Sequence, residues 1–184
     1  MFLYIQEGFM TLVLEDYIAS VRDFPKEGIL FRDVTPIIES PEALHECIRR
    51  FAEIGEKVNA DVIVGPESRG FIFGCPTAYA MGKGFVAVRK PGKLPRETIS
   101  CDYELEYGVN TLCMHKDSIK PGQRCLVIDD LLATGGTAQA TANLIEQLCG
   151  IVAGFAFVIE LDGLNGRDKL EGYDVFAMMN LSDK

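Results

Sequence analysis

The sequence predicts an α/β domain with a mainly parallel central sheet flanked by helices. Three observations carry that expectation. Short apolar runs at 61–64, 85–88, 124–128, 151–159 and 175–179 alternate with segments of helical periodicity. Those runs carry few polar residues, as strands covered on both faces require. Glycine is plentiful at 18 against 8 prolines, which suits many short turns between regular elements. With 184 residues, 48% of them hydrophobic, the chain is close to one domain with a sizeable core.

Each element has a local reason. Leu12, Leu14, Ile18 and Val21 fit a short amphipathic helix, and 23–28 break it with turn chemistry. Residues 29–31 are extended. Ser40 followed by Pro41 marks a helix start, and Leu44, Cys47, Ile48, Phe51, Ile54 and Val58 then recur at helical spacing. Strand 61–64 ends at Gly65-Pro66, and 71–81 form a helix with Gly82 near its end. Strand 85–88 leads into a polar, basic, turn-rich stretch at 89–100. Residues 103–106 and 111–115 form a hairpin joined at 108–110. Pro121-Gly122 makes a turn before strand 124–128, helix 137–149, strand 151–159, weakened at Gly154, and strand 175–179. No repeat or linker divides the chain, so 10–184 read as one domain. Residues 1–9 read as an extension, with Met10 a second possible start.

The net charge of -9 argues against non-specific binding to nucleic acid or anionic lipid. No run approaches the ~20 apolar residues of a membrane span, and the first residues lack the basic flank of a signal peptide. Six cysteines without C-x-x-C spacing, beside two histidines, disfavour zinc and thioredoxin-like chemistry. They read as reduced core thiols in a reducing, cytoplasmic compartment.

The strongest motif is Val127-Ile128-Asp129-Asp130-Leu131-Leu132-Ala133-Thr134-Gly135-Gly136-Thr137. An apolar strand ends in two carboxylates, a small-residue turn follows, and a helix opens. The turn can wrap a phosphate, because glycine lets N–H groups converge with no Cβ in the way. The helix end adds a favourable dipole, and Thr134 and Thr137 add hydroxyl donors. Asp129 and Asp130 can accept hydrogen bonds from sugar hydroxyls. The G-K-[ST] ending of a Walker A loop and the G-x-G-x-x-G of a dinucleotide fold are both absent.

This string resembles the phosphoribosyl-pyrophosphate signature of the type I phosphoribosyltransferases. The resemblance implies that fold, with a small N-terminal hood and a β-hairpin or flexible loop. It implies that Asp129 and Asp130 hold the ribose 2- and 3-hydroxyls, and that Ala133, Thr134, Gly135, Gly136 and Thr137 hold the 5-phosphate. It also implies Mg²⁺, bound mainly through substrate oxygens and water, and a homodimer.

Other segments resemble the adenine-specific branch of that family. In 23–33, Phe31 would stack on the purine, main-chain groups of Leu30 and Arg32 would read its edge, and Leu131 would cover the other face. A peptide C=O and N–H match the adenine acceptor–donor edge. Read from the residues alone, Phe31 equally fits a core position. In Gly65-Pro66-Glu67-Ser68-Arg69-Gly70-Phe71, Ser68 and Arg69 would contact pyrophosphate, with a cis peptide expected at Glu67–Ser68. Arg89, Lys90, Lys93 and Arg96 concentrate positive charge on a lid-like stretch, and Arg89, Lys90 and Lys93 would meet the leaving pyrophosphate. Glu106 maps to the acid–base carboxylate, although on sequence alone a hairpin surface position fits it as well. Ala133 stands where 6-oxopurine relatives carry an acidic residue, which favours Glu106. Together these imply transfer of phosphoribosyl to adenine, giving AMP and pyrophosphate. The alternatives are the same fold acting on another base, or a regulator that senses phosphoribosyl pyrophosphate.

Overall fold

The computed structural model describes residues 12–105 and 108–182. The expected extension at 1–9, Met10 and Glu106 lie outside them. In chain order, a 3-10 turn (Leu14–Tyr17) precedes β1 (Ala19–Arg22), β2 (Leu30–Asp33), α1 (Thr35–Glu39) and α2 (Pro41–Lys57). Then come β3 (Val62–Pro66), α3 (Arg69–Ala80), β4 (Gly84–Val88), β5 (Thr98–Leu105) and β6 (Gly108–His115). The chain continues through β7 (Arg124–Leu132), α4 (Gly136–Gln147), β8 (Ile151–Asp162), a 3-10 turn (Gly166–Leu170) and β9 (Val175–Ser182).

The expected parallel sheet is present, with five strands in the order β4-β3-β7-β8-β9. β1 and β2 form a separate antiparallel pair, and so do β5 and β6. β7 shows how the sheet is buried on both sides. Leu126 and Ile128 pack on one face with Phe51 of α2, Phe73 of α3 and Ile63 of β3. Cys125 and Val127 pack on the other with Leu144 and Ile145 of α4 and with Phe155 and Phe157 of β8. An odd–even alternation along one strand therefore feeds two apolar layers.

The start of α2 follows the expected chemistry: Ser40 Oγ accepts from the Ala43 N–H at 3.2 Å, with Pro41 in the first turn. Gly154 marks a register shift, since Cys125 pairs with Val152 but Leu126 with Gly154. Three expectations need correction. The segment 12–21 is not a helix but one 3-10 turn followed by β1, because Ala19 to Arg22 pair with Asp33 to Leu30. The hairpin strands are longer than expected: β5 begins at Thr98, and 108–110, expected as the joint, already belong to β6 and pair with 103–105. Not every thiol is in the core: Cys75 and Cys149 are exposed, although all six cysteines are free.

The strand order places a topological switch between β3 and β7. β3 leads through α3 to β4 on one side, while β7 leads through α4 to β8 on the other. Crevices of such sheets open beyond the carboxyl ends of the strands at that point.

Candidate active site

A cleft of about 390 Å³ opens at the switch point. Its walls are Glu67, Ser68 and Arg69 after β3, the run 129–138 from β7 into α4, and Phe157 of β8. The structure thus joins the turn after β3 and the acidic–glycine string across one opening. Asp129 and Asp130 are not at the last residues of the strand, as expected, but inside it. β7 continues to Leu132 because β8 extends alongside, with Leu131 opposite Ile159 and Leu132 opposite Glu160. The pair is therefore flanked along β7 by pairing to β8, while the ladder to β3 ends at Val127.

Gly135 caps α4 with φ +79, a conformation open to glycine, and a Cβ there would strike the Gly166 carbonyl. The 3-10 turn at Gly166–Leu170 thus buttresses the loop from behind. Opposite, Gly70 lets α3 come close to β7: a Cβ would stand 2.7 Å from Pro66 Cδ, 2.8 Å from the Ile128 carbonyl and 3.2 Å from Asp129 Oδ1. The peptide Glu67–Ser68 is cis, as the resemblance implied.

One ion pair spans the cleft, and a second carboxyl lies beside it without a cationic partner among the described residues. Arg69 Nε lies 2.5 Å from Asp130 Oδ2, the arginine half-exposed at 45% and the carboxylate covered at 6%. The Arg69 guanidinium is also 5.8 Å from the centre of the Phe31 ring, which links the hood to the cleft. Asp129 lies deep, with part of its surface still facing the opening, and its Oδ1 accepts from the Asp130 N–H at 2.9 Å. Burial pushes its carboxyl well above the ordinary range, and the neighbouring Asp130 adds to the rise.

The basic segment is arranged differently from a lid reaching the loop. Arg89 Nε donates to Glu67 Oε2 at 3.0 Å, and the Lys90 N–H reaches the same oxygen at 3.3 Å. Arg89 Nη1 also donates to the Lys93 carbonyl at 3.1 Å. The Arg89 hydrogen bond holds the Glu67 carboxyl below its usual range, with the Lys90 N–H and the charge of Lys93 helping. Arg96 pairs with Asp117, beside the root of the hairpin. Arg89, Lys90 and Lys93 do not line the cleft itself, and neither do Leu30, Phe31 and Arg32, whereas Leu131 does. The Arg32 guanidinium turns away, donating to Ser20 Oγ at 2.6 Å and to the Ser182 carbonyl at 2.8 Å.

Sequence reasoning missed three contributors. Glu67 entered only as one side of the cis bond, yet it anchors Arg89. The Tyr103 phenol oxygen lies 3.4 Å from Thr137 Oγ1, tying the hairpin to the first turn of α4. Gly166 had no local signal, because its role depends on a fold contact thirty residues from the loop. Glu67 had one: an acid directly after a buried strand end. The cysteines take no part. Burial pushes the Cys47 and Cys125 thiols up to about 12.

A crevice at a parallel-sheet switch point, with a carboxylate pair running into a glycine–threonine turn and a helix, defines a protein that binds a phosphorylated sugar. The phosphoribosyl transferase domain family matches residues 33–180. An adenine phosphoribosyltransferase of Streptococcus thermophilus is 60% identical over 91% of this chain and 97% of its own. The solved adenine phosphoribosyltransferase of Thermoanaerobacter pseudethanolicus superposes with a TM-score of 0.89 at 49% identity, covering 92% of this chain and all of that one (100%). The Saccharomyces cerevisiae enzyme, solved with an imino-altritol bisphosphate and adenine, gives 0.86 at 43% identity, covering 90% of this chain and 96% of that one. The chain belongs to the adenine phosphoribosyltransferases, a branch of the phosphoribosyltransferase family.

Proposed function

We propose that this chain transfers the phosphoribosyl group of phosphoribosyl pyrophosphate to adenine, releasing AMP and pyrophosphate. One observation carries the reading: the diol-sized carboxylate pair and the phosphate-sized turn are contiguous in β7 and α4, and face Arg69 across the cleft. In this reading Asp129 and Asp130 accept the ribose hydroxyls. The main-chain N–H groups of 133–137, with the Thr134 and Thr137 hydroxyls, hold the 5-phosphate. Ser68 and Arg69 receive the pyrophosphate, and Arg89, Lys90 and Lys93 add positive charge nearby.

The C1–O bond to pyrophosphate breaks as adenine N9 bonds to C1 from the opposite face, so the anomeric centre inverts. Charge developing on the leaving oxygen is met by fixed cations. Phe31 stacks on the base, Leu30 and Arg32 read its edge through the main chain, and Leu131 closes the far side. Glu106 takes the proton lost by the base. No nucleophile is required, because positioning two bound reactants lowers much of the barrier.

The donor set suits Mg²⁺. Asp129 and Asp130 offer hard oxygens at the cleft wall. That fits an ion kept by substrate oxygens and water. When bound it would neutralise charge on the pyrophosphate. A homodimer is supported by an exposed stripe on α3, where Ile72, Cys75 and Tyr79 recur on one helix face and Tyr79 is 88% exposed. Six free thiols support a reducing cytoplasm. No helix among the described residues is long and apolar enough to cross a membrane.

The test is to incubate the protein with Mg²⁺, phosphoribosyl pyrophosphate and each nucleobase separately, following nucleotide and pyrophosphate. AMP from adenine, with little product from other bases, is the expected result. Product from another base would overturn the roles of Phe31 and Ala133. Binding without product from any base would overturn catalysis.

A further inference from the structure

Arg69 and Asp130 carry two jobs that conflict. The guanidinium that would receive pyrophosphate is ion-paired, at 2.5 Å, with the carboxylate that would receive the ribose hydroxyls. Asp130 is buried within β7, between Asp129 and Leu131 that pair with β8. Arg69 is not: it begins α3, is half-exposed, and leans toward the Phe31 ring. An arginine held by a carboxylate is a weak anion receptor, because its charge is locally cancelled. Breaking the pair for pyrophosphate alone would strand a buried carboxylate, which is costly. Sugar hydroxyls are donors and can replace the guanidinium on Asp130 without that cost.

We propose that Arg69 and Asp130 form an exchange latch, in which the ribose diol displaces the guanidinium from Asp130 and so releases it for the pyrophosphate. The inference rests on the roles given to the two residues above. It makes capture of the two halves of the substrate cooperative, and it makes the diol a condition for tight pyrophosphate binding. Coupling of this kind is reciprocal.

The test uses calorimetry on the whole chain with magnesium pyrophosphate and with ribose 5-phosphate. In the wild type, saturating ribose 5-phosphate tightens pyrophosphate about tenfold, the scale of one charge-assisted hydrogen bond. Independent or competitive binding overturns the latch. Asp130→Asn binds pyrophosphate alone about tenfold tighter and ribose 5-phosphate about tenfold weaker. Combined with Arg69→Gln, the gain for pyrophosphate disappears. A gain that persists there reflects only removal of negative charge from the cleft and overturns the latch. Weakened ribose 5-phosphate with unchanged pyrophosphate also overturns it, while leaving the ribose role of Asp130 intact. Unchanged ribose 5-phosphate overturns that role and the latch together.

Discussion

The sugar–phosphate cradle and the N-terminal hood are built on opposite principles. The cradle is set in the central strand of a five-stranded sheet, with Ile128 and Leu132 at no more than 1% exposure on either side of the acidic pair. The hood is a two-stranded pair whose β1 is mostly exposed and whose β2 is half-buried throughout. It is tied down by a few contacts, chiefly Arg32 to the Ser182 carbonyl and the Arg69 guanidinium 5.8 Å from the Phe31 ring, while Phe24 sits edge-on to Phe31 at 5.1 Å within the hood itself. The contrast follows from the ligands. Phosphate and diol recognition needs several donors and acceptors fixed at once, which a packed strand-to-helix junction supplies. Stacking on a base needs one ring and a strand edge, which a thin, adjustable element can supply.

Substitutions that disturb the packing of the cradle should therefore cost both stability and sugar binding. The largest effect is expected for Gly135→Ala. A positive φ costs an L-residue about 1–2 kcal/mol, and the clash with the Gly166 carbonyl adds about 1–3 kcal/mol. Thermal melts should fall, and calorimetry should show phosphoribosyl pyrophosphate binding weakened by at least about tenfold. A variant that melts and binds normally would show that the loop is adaptable after all.

Next comes the hood anchor. Arg32→Gln removes charge-assisted bonds to Ser182 and Ser20, a loss of about 1–2 kcal/mol confined to the hood. Hydrogen exchange should speed up across β1 and β2 while β7 stays protected. Adenine KM should rise with phosphoribosyl pyrophosphate affinity retained. Uniform loss of protection would erase the distinction between the two regions.

A smaller effect separates function from stability inside the cradle. The folded protein holds the Asp129 proton more tightly than the unfolded chain does, because burial raises its pKa. Stability contributed by that proton is present at acidic pH and is lost as pH rises through the raised value. Asp129→Asn, which needs no proton, should match the wild type near about pH 4 and melt increasingly higher than it toward about pH 8. Sugar binding should weaken at the same time. A melting difference independent of pH would remove the buried charge as its cause.

The same contrast governs what could be read in advance. The cradle is local: Asp129 to Thr137 are contiguous, so the string displayed the strand, the acids, the turn and the helix start together. The buried strands and the Ser40–Pro41 cap were equally legible from nearest neighbours. The hood was not. Leu14, Ile18 and Val21 have helical spacing, but pairing of β1 with β2 overrides it, and pairing is a long-range fact. Glu67 holding Arg89, Gly166 behind Gly135, and Arg69 between Asp130 and Phe31 all join segments distant in sequence. Composition cannot foresee such contacts, and they decide which cations face the cleft.

The division of labour is tested most directly by measuring both ligands on one hood variant, Phe31→Ala. Base–aromatic stacking contributes about 1–3 kcal/mol, so adenine KM should rise by about tenfold or more while the Kd for phosphoribosyl pyrophosphate stays within about twofold. Equal weakening of both ligands, or an unchanged adenine KM, would contradict the account.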